Sequence, residues 1–162
     1  MIEEIEAQKN KNKIIIYTDG ACSGNPGKGG WCAILMCETK NNQGEKKIFK
    51  KTISGGIKNT TNNQMELTAV IEALKIIKKP SNIEIFTDSK YVLDGFTKWL
   101  PNWIKNNWKT TNKKSVKNIE LWILLHELAV QHEIHWNWVK GHSLNEFNEE
   151  ADRIAVLESK KQ

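Results

Sequence analysis

Arginine is almost missing from this chain. Among 24 basic residues in 162, Arg153 is the only arginine, so the net charge of +5 is carried by lysine. Lysine neutralises phosphates as a point charge but lacks the planar fork that reads base edges bidentately, which argues against sequence-specific nucleic-acid recognition. Cysteine is sparse too. Cys22, Cys32 and Cys37 form an odd set without a C-x-x-C pair or a histidine cluster, which speaks against a disulfide framework and a zinc site. No apolar run approaches the roughly 20 residues needed to span a bilayer. Residues 1–12 mix Glu3, Glu4 and Glu6 with Lys9 and Lys11 and contain no apolar stretch, so they do not read as a secretory signal. The expectation is a disordered extension over 1–12, one domain over 13–160, and a cytoplasmic location. A content of 39% hydrophobic and 27% charged residues fits a globular fold of that size.

The periodicity predicts the order β-β-β-α-β-α-α-α-β-α. Residues 13–18 are apolar on both faces, as in a central strand, and 31–38 and 46–54 continue as an antiparallel meander. A helix over 60–78 carries the stripe Leu67, Val70, Ile71, Leu74 and Ile77, with Pro80 just beyond its end. A strand over 83–87 follows, then helices over 89–99 and 101–108, a polar loop over 109–117 and a helix over 118–131. The strand over 133–139 places Ile134, Trp136 and Trp138 on one face, and a helix over 145–157 closes the chain. Helical crossovers between the later strands imply parallel pairing, hence a mixed sheet covered on both sides.

Two strands end on the same pair, Thr18-Asp19 and Thr87-Asp88. If these strands are parallel neighbours, both aspartates reach the carboxyl edge of the sheet, where α/β folds bind ligands. Glu66 shares a helical face with Val70, Ala73, Leu74 and Ile77, all apolar, so it points toward the sheet. A buried carboxylate is costly without a compensating cation, and no lysine on that helix is spaced to supply one. Near the end of the chain, His142 follows the last strand and Asp152 follows one segment later. Several carboxylates without cysteine suit hard cations such as Mg²⁺ or Mn²⁺, and hence phosphoryl chemistry.

The blocks Y-T-D-G-A-C-S-G-N-P-G around Asp19, T-T-N-N-Q-M-E-L around Glu66, T-D-S-K-Y-V around Asp88, W-V-K-G-H ending at His142 and N-E-E-A-D ending at Asp152 resemble, in order and spacing, the bacterial type 1 ribonuclease H family. The likeness runs from about residue 13 to 157. It implies an α/β ribonuclease H-like fold with a five-stranded mixed sheet and helices on both sides. It also implies cleavage of the RNA strand of RNA–DNA hybrids, leaving 5′-phosphate and 3′-hydroxyl ends. Asp19, Glu66, Asp88 and Asp152 would hold two Mg²⁺ ions, with Mn²⁺ as a substitute, and His142 would assist proton movement or product release. Leu144 departs from the family, which usually has glycine two residues after that histidine.

Within the same blocks, Cys22, Asn25, Asn62, Asn63 and Lys90 resemble the positions that contact the minor groove, where the 2′-hydroxyl distinguishes RNA from DNA, and Thr61 resembles a phosphate contact. A plainer role for Asn62 and Asn63 is to cap the helix. Between Asp94 and Glu120 there is no acidic residue, whereas Lys98, Lys105, Lys109, Lys113, Lys114 and Lys117 gather there with Trp99, Trp103 and Trp108. This resembles the family's basic handle. Lys105, Lys109, Lys113 and Lys114 are expected on phosphates and the tryptophans in packing. The expected partner is a hybrid duplex bound by a monomer. The competing readings are a non-catalytic hybrid-binding module and another nuclease or transferase of the superfamily. Four intact acidic positions oppose the first, and the handle opposes the second.

Overall fold

The computed structural model describes residues 12–110, 115–140 and 145–162. Its strands are β1 (Asn12–Gly24), β2 (Gly27–Lys40), β3 (Lys46–Thr60), β4 (Ser81–Thr87) and β5 (Glu133–Trp138), forming one sheet in the order β3-β2-β1-β4-β5. β1 pairs antiparallel with β2, and β2 with β3, while β4 runs parallel to both β1 and β5. The helices are α1 (Asn62–Ile76), α2 (Lys90–Asp94), α3 (Leu100–Lys105), α4 (Ile119–Ala129) and α5 (Glu146–Lys160). No helix among the described residues is long and apolar enough to cross a membrane.

Alternation along β1 feeds two cores. Ile14 and Ile16 pack with Leu67, Val70, Ile71 and Leu74 of α1, and further out with Trp122 and Leu125 of α4. Tyr17 packs with Cys32 and Ile34 against Ala151 and Ala155 of α5. The alanines let α5 approach closely, and Gly30 completes the fit: a Cβ there would run into the Ala155 carbonyl oxygen. Such burial is worth about 1.5–3 kcal/mol per large apolar side chain.

Four details depart from the sequence-based expectation. The first strand does not end at Asp19 but runs on to Gly24, because residues 19–24 stay paired with β2 after the pairing with β4 has stopped at Thr18. The cap of α1 is Thr61, whose hydroxyl accepts the Gln64 N–H at 3.2 Å, so Asn62 and Asn63 are the first helical residues rather than the cap. The expected helix over 89–99 is α2 followed by a π-helical turn (Gly95–Trp99), and at its first residue only glycine leaves room for the Trp122 ring. Trp138 remains 46% exposed although it shares alternation with Ile134 and Trp136, since it stands at the open carboxyl end of the edge strand.

Candidate active site

Parallel pairing sets Thr18 of β1 beside Thr87 of β4, so Asp19 and Asp88 emerge side by side at the carboxyl edge. Glu66 arrives from the second turn of α1. Its position depends on Gly20, where a Cβ would fall 2.5 Å from the Glu66 nitrogen, so only glycine lets the strand and helix backbones come so close. Asp19, Glu66 and Asp88 each offer an oxygen, and all three atoms lie within 4.8 Å of one another. Asp19 is 2% and Glu66 5% exposed.

This crowding shapes the electrostatics. Burial, followed by the negative charges of Glu66, Asp88 and Asp152, pushes the Asp19 carboxyl up to about 11. Burial and then Asp88 hold Glu66 well above the ordinary carboxylate range, with the Asp19 carboxyl and then the Gly20 backbone N–H partly opposing the shift. The same N–H is 2.9 Å from Asp19 Oδ1. Asp19 Oδ2 and Glu66 Oε2 are buried without a hydrogen-bond partner among the described residues. Crowded carboxylates with buried, unpartnered oxygens are the arrangement a hard divalent cation resolves, because its charge favours the ionised forms that burial and repulsion oppose. The donor set therefore fits a magnesium-type ion. Asp152, on α5, is exposed and lies outside the trio, near enough for its charge to raise Asp19.

Around the carboxylates, the Cys22 thiol donates to the Thr60 carbonyl at 3.4 Å, and Asn25 Oδ1 accepts the Asn62 N–H at 3.2 Å. Cys22, Asn25, Thr61, Asn62 and Asn63 thus form one surface where the β1–β2 turn meets the start of α1. Lys90, two residues after Asp88, holds its ammonium 4.0 Å above the Trp138 ring. Asn118, outside the motifs, joins this surface to the handle. Gln64 Nε2 donates to Asn118 Oδ1 at 3.2 Å, and Asn118 Nδ2 donates to the Tyr91 hydroxyl at 3.1 Å, which also receives the Trp122 N–H at 3.0 Å. Asn118 has φ of 59°, a conformation that asparagine tolerates better than most residues; its place just before an amphipathic helix was the one sequence signal for it.

The handle tryptophans pack as expected. Trp99 meets Trp103 at 5.9 Å and Trp103 meets Trp122 at 5.3 Å between ring centroids. Lys105 and Lys109 are exposed beside them. Lys113, Lys114 and His142 lie outside the described residues.

A model of the RNase H family matches residues 11–160. The chain belongs to the RNase H family. It is 55% identical over 146 residues to the ribonuclease H of Wolbachia pipientis wMel, covering 90% of this chain and 94% of that protein. Against the ribonuclease H of Rickettsia bellii (strain RML369-C) the identity is 54% over 145 residues, covering 90% and 88%. Among solved structures, a type 1 RNase H with the type 2 active-site motif superposes with a TM-score of 0.80 at 30% identity, covering 94% of this chain and 74% of that one. The PFV RNase H domain gives 0.71 at 25% identity, covering 95% and 98%. The expected family and the five-stranded mixed fold are both borne out. The protein is accordingly a metal-dependent hydrolase that cuts within the RNA strand of RNA–DNA hybrids.

Proposed function

We propose that Asp19, Glu66, Asp88 and Asp152 together hold two Mg²⁺ ions, that Mn²⁺ can replace them, and that His142 assists the reaction. The observation that carries this reading is the trio of carboxylates within 4.8 Å, two of them buried with an unpartnered oxygen. Bound there, the ions would supply Lewis-acid polarisation of the scissile phosphate and a water acidic enough to attack it. Asp19 and Glu66 would give up their protons to such a charge and fix its position. Asp88 continues the same wall from the neighbouring strand, and exposed Asp152 closes it on the solvent side. His142, following β5, is suited to move a proton to or from the departing 3′ oxygen, leaving a 3′-hydroxyl and a 5′-phosphate.

The substrate is an RNA–DNA hybrid, read by shape. Two solved relatives of the fold, a foamy viral protease–reverse transcriptase and another RNase H, have been captured with RNA/DNA hybrid. In this chain Cys22, Asn25, Asn62, Asn63 and Lys90 line the edge around the carboxylates and serve the minor groove. Thr61, with its hydroxyl at a helix N-terminus, serves a phosphate. Lys105, Lys109, Lys113 and Lys114 neutralise the backbone further along the duplex. The enzyme works as a cytoplasmic monomer.

The test is incubation of the protein with four end-labelled 20-mers, with Mg²⁺, with Mn²⁺ and with EDTA. The expected result is internal cutting of the hybrid only, in either metal and not in EDTA. Double-stranded RNA, double-stranded DNA and single-stranded RNA should remain intact. Comparable cutting of single-stranded RNA, or activity in EDTA, would overturn the reading.

A further inference from the structure

Far from the carboxylates, a cavity of about 580 Å³ opens between β2, β3 and the C-terminal end of α1. Its floor is Ile14, Leu35, Cys37 and Phe49, and its wall is Ile76 with Ile77. The register places these floor residues on one face of the sheet, since Ile14 stands opposite Cys37, Cys37 opposite Phe49, and Leu35 opposite Lys51. Phe49 is 53% and Ile76 39% exposed, so this apolar surface is left to water by the fold itself. Contiguous exposed apolar surface with a polar rim marks an interaction site more often than chance.

The rim has a single sign. Lys51, Lys78 and Lys79 line the cavity, and no carboxylate does. Lys47 adds a fourth ammonium, 5.3 Å above the Phe49 ring. Lys50 is excluded, because its ammonium bonds Glu150 at 2.8 Å. Lys51 and Lys79 have no anionic partner among the described residues. The groove is also remote from the chemistry: Ile14 precedes Asp19 along β1 by roughly 17 Å.

We propose that this groove docks an acidic peptide segment of a partner protein, one whose carboxylates flank a large apolar side chain. The lysines stand on two banks, Lys47 and Lys51 on β3, Lys78 and Lys79 beyond α1, with the apolar floor between them. One headgroup, as in a fatty acid, would answer one bank only. A nucleic acid would meet the lysines but leave the aliphatic floor uncovered. A peptide with acidic residues on both sides of a leucine or phenylalanine satisfies both banks and the floor together, and such partly desolvated charge complementarity sets both specificity and register.

The test uses the full chain and a fluorescein-labelled peptide, Asp-Glu-Asp-Leu-Phe-Asp-Glu, followed by fluorescence polarisation. Saturable binding is expected, weakened at least ~10-fold by Lys51→Glu combined with Lys79→Glu, and likewise by Phe49→Ser. Hybrid cleavage at saturating substrate should be unchanged in these variants, which shows them folded. Binding should survive saturating hybrid in EDTA and the Lys105→Ala/Lys109→Ala change, since neither touches the groove. Five results would each overturn the proposal: no saturable binding, equal binding of a peptide with serines for Leu-Phe, displacement by hybrid, displacement by laurate at equal affinity, or weakening by the handle change. If Glu3→Gln, Glu4→Gln and Glu6→Gln together tighten the peptide ~10-fold, the occupant is the chain's own N-terminus and the partner is refuted.

Discussion

Replacing Asp19 by asparagine separates what the carboxylate does for catalysis from what it does to the fold. In the metal-free protein the Asp19 carboxyl is pushed from an ordinary 3.8 up to about 11, by burial first and then by Glu66, Asp88 and Asp152. A carboxyl raised in the folded state favours folding fully only below its unfolded value. That contribution falls as pH rises, until the folded group itself ionises. Each pH step above 3.8 removes about 1.4 kcal/mol, so about 4 kcal/mol has gone by pH 7. An asparagine in its place cannot ionise, and the amide oxygen can still accept the Gly20 N–H that Asp19 Oδ1 accepts at 2.9 Å. The Asp19→Asn variant should therefore abolish hybrid cleavage and yet melt about 8–16 °C higher than wild type at pH 7 in EDTA, given about 2–4 °C per kcal/mol at this chain length. The gap should narrow toward pH 4, where the unfolded wild-type Asp19 carboxyl begins to hold its proton as well, and again in excess Mg²⁺, which binds the wild-type folded form. Thermal unfolding followed by circular dichroism from pH 4 to 9 reads all of this. A variant no more stable than wild type at pH 7, or a gap that does not change with pH, would refute the dominance of repulsion and desolvation at this site.

Three further outcomes are expected. His142→Ala should slow turnover ~10²-fold, within the general acid–base range, and leave hybrid binding nearly unchanged; single-turnover kinetics beside an equilibrium binding curve would show it, and an unaltered rate would mean that Leu144 has moved the loop away. Replacing Lys105, Lys109, Lys113 and Lys114 with alanine should raise KM at low salt, spare kcat, and reduce the salt dependence by up to about 0.9 logarithmic units for each phosphate no longer neutralised. An unmoved salt slope would assign these lysines to a merely solvated face. Gly30→Ala should cost about 1–3 kcal/mol, because its Cβ meets the Ala155 carbonyl oxygen and α5 must retreat, and kcat should fall with it since α5 carries Asp152; urea titration and a steady-state assay check the pair, and unchanged values in both would mean the helix yields freely.

By itself the chain of residues determined the strands, the helices and most of the site, because those depend on local patterns. The apolar run over 13–18 and the 3.6-residue stripe from Leu67 to Ile77 act through backbone periodicity, and β1 and α1 formed where they pointed; the repeated Thr-Asp pair marks where the β1–β4 pairing stops, although β1 itself runs on to Gly24. The apolar face beneath Glu66 already showed that this carboxylate turns inward. Non-local packing decided the rest. The Trp122 ring packs where residue 95 can only be glycine, at the start of a π-helical turn inside an expected regular helix, and the Thr61 hydroxyl took the cap that Asn62 or Asn63 could have filled. Sequence spacing brought Asp19, Glu66 and Asp88 to one edge, but only the close approach at Gly20 set them within 4.8 Å and left two buried oxygens without partners. The lysine-rimmed groove gave no sequence signal at all. Its floor comes from three strands and its wall from a helix end, and surfaces assembled from distant segments have no period to read along the chain.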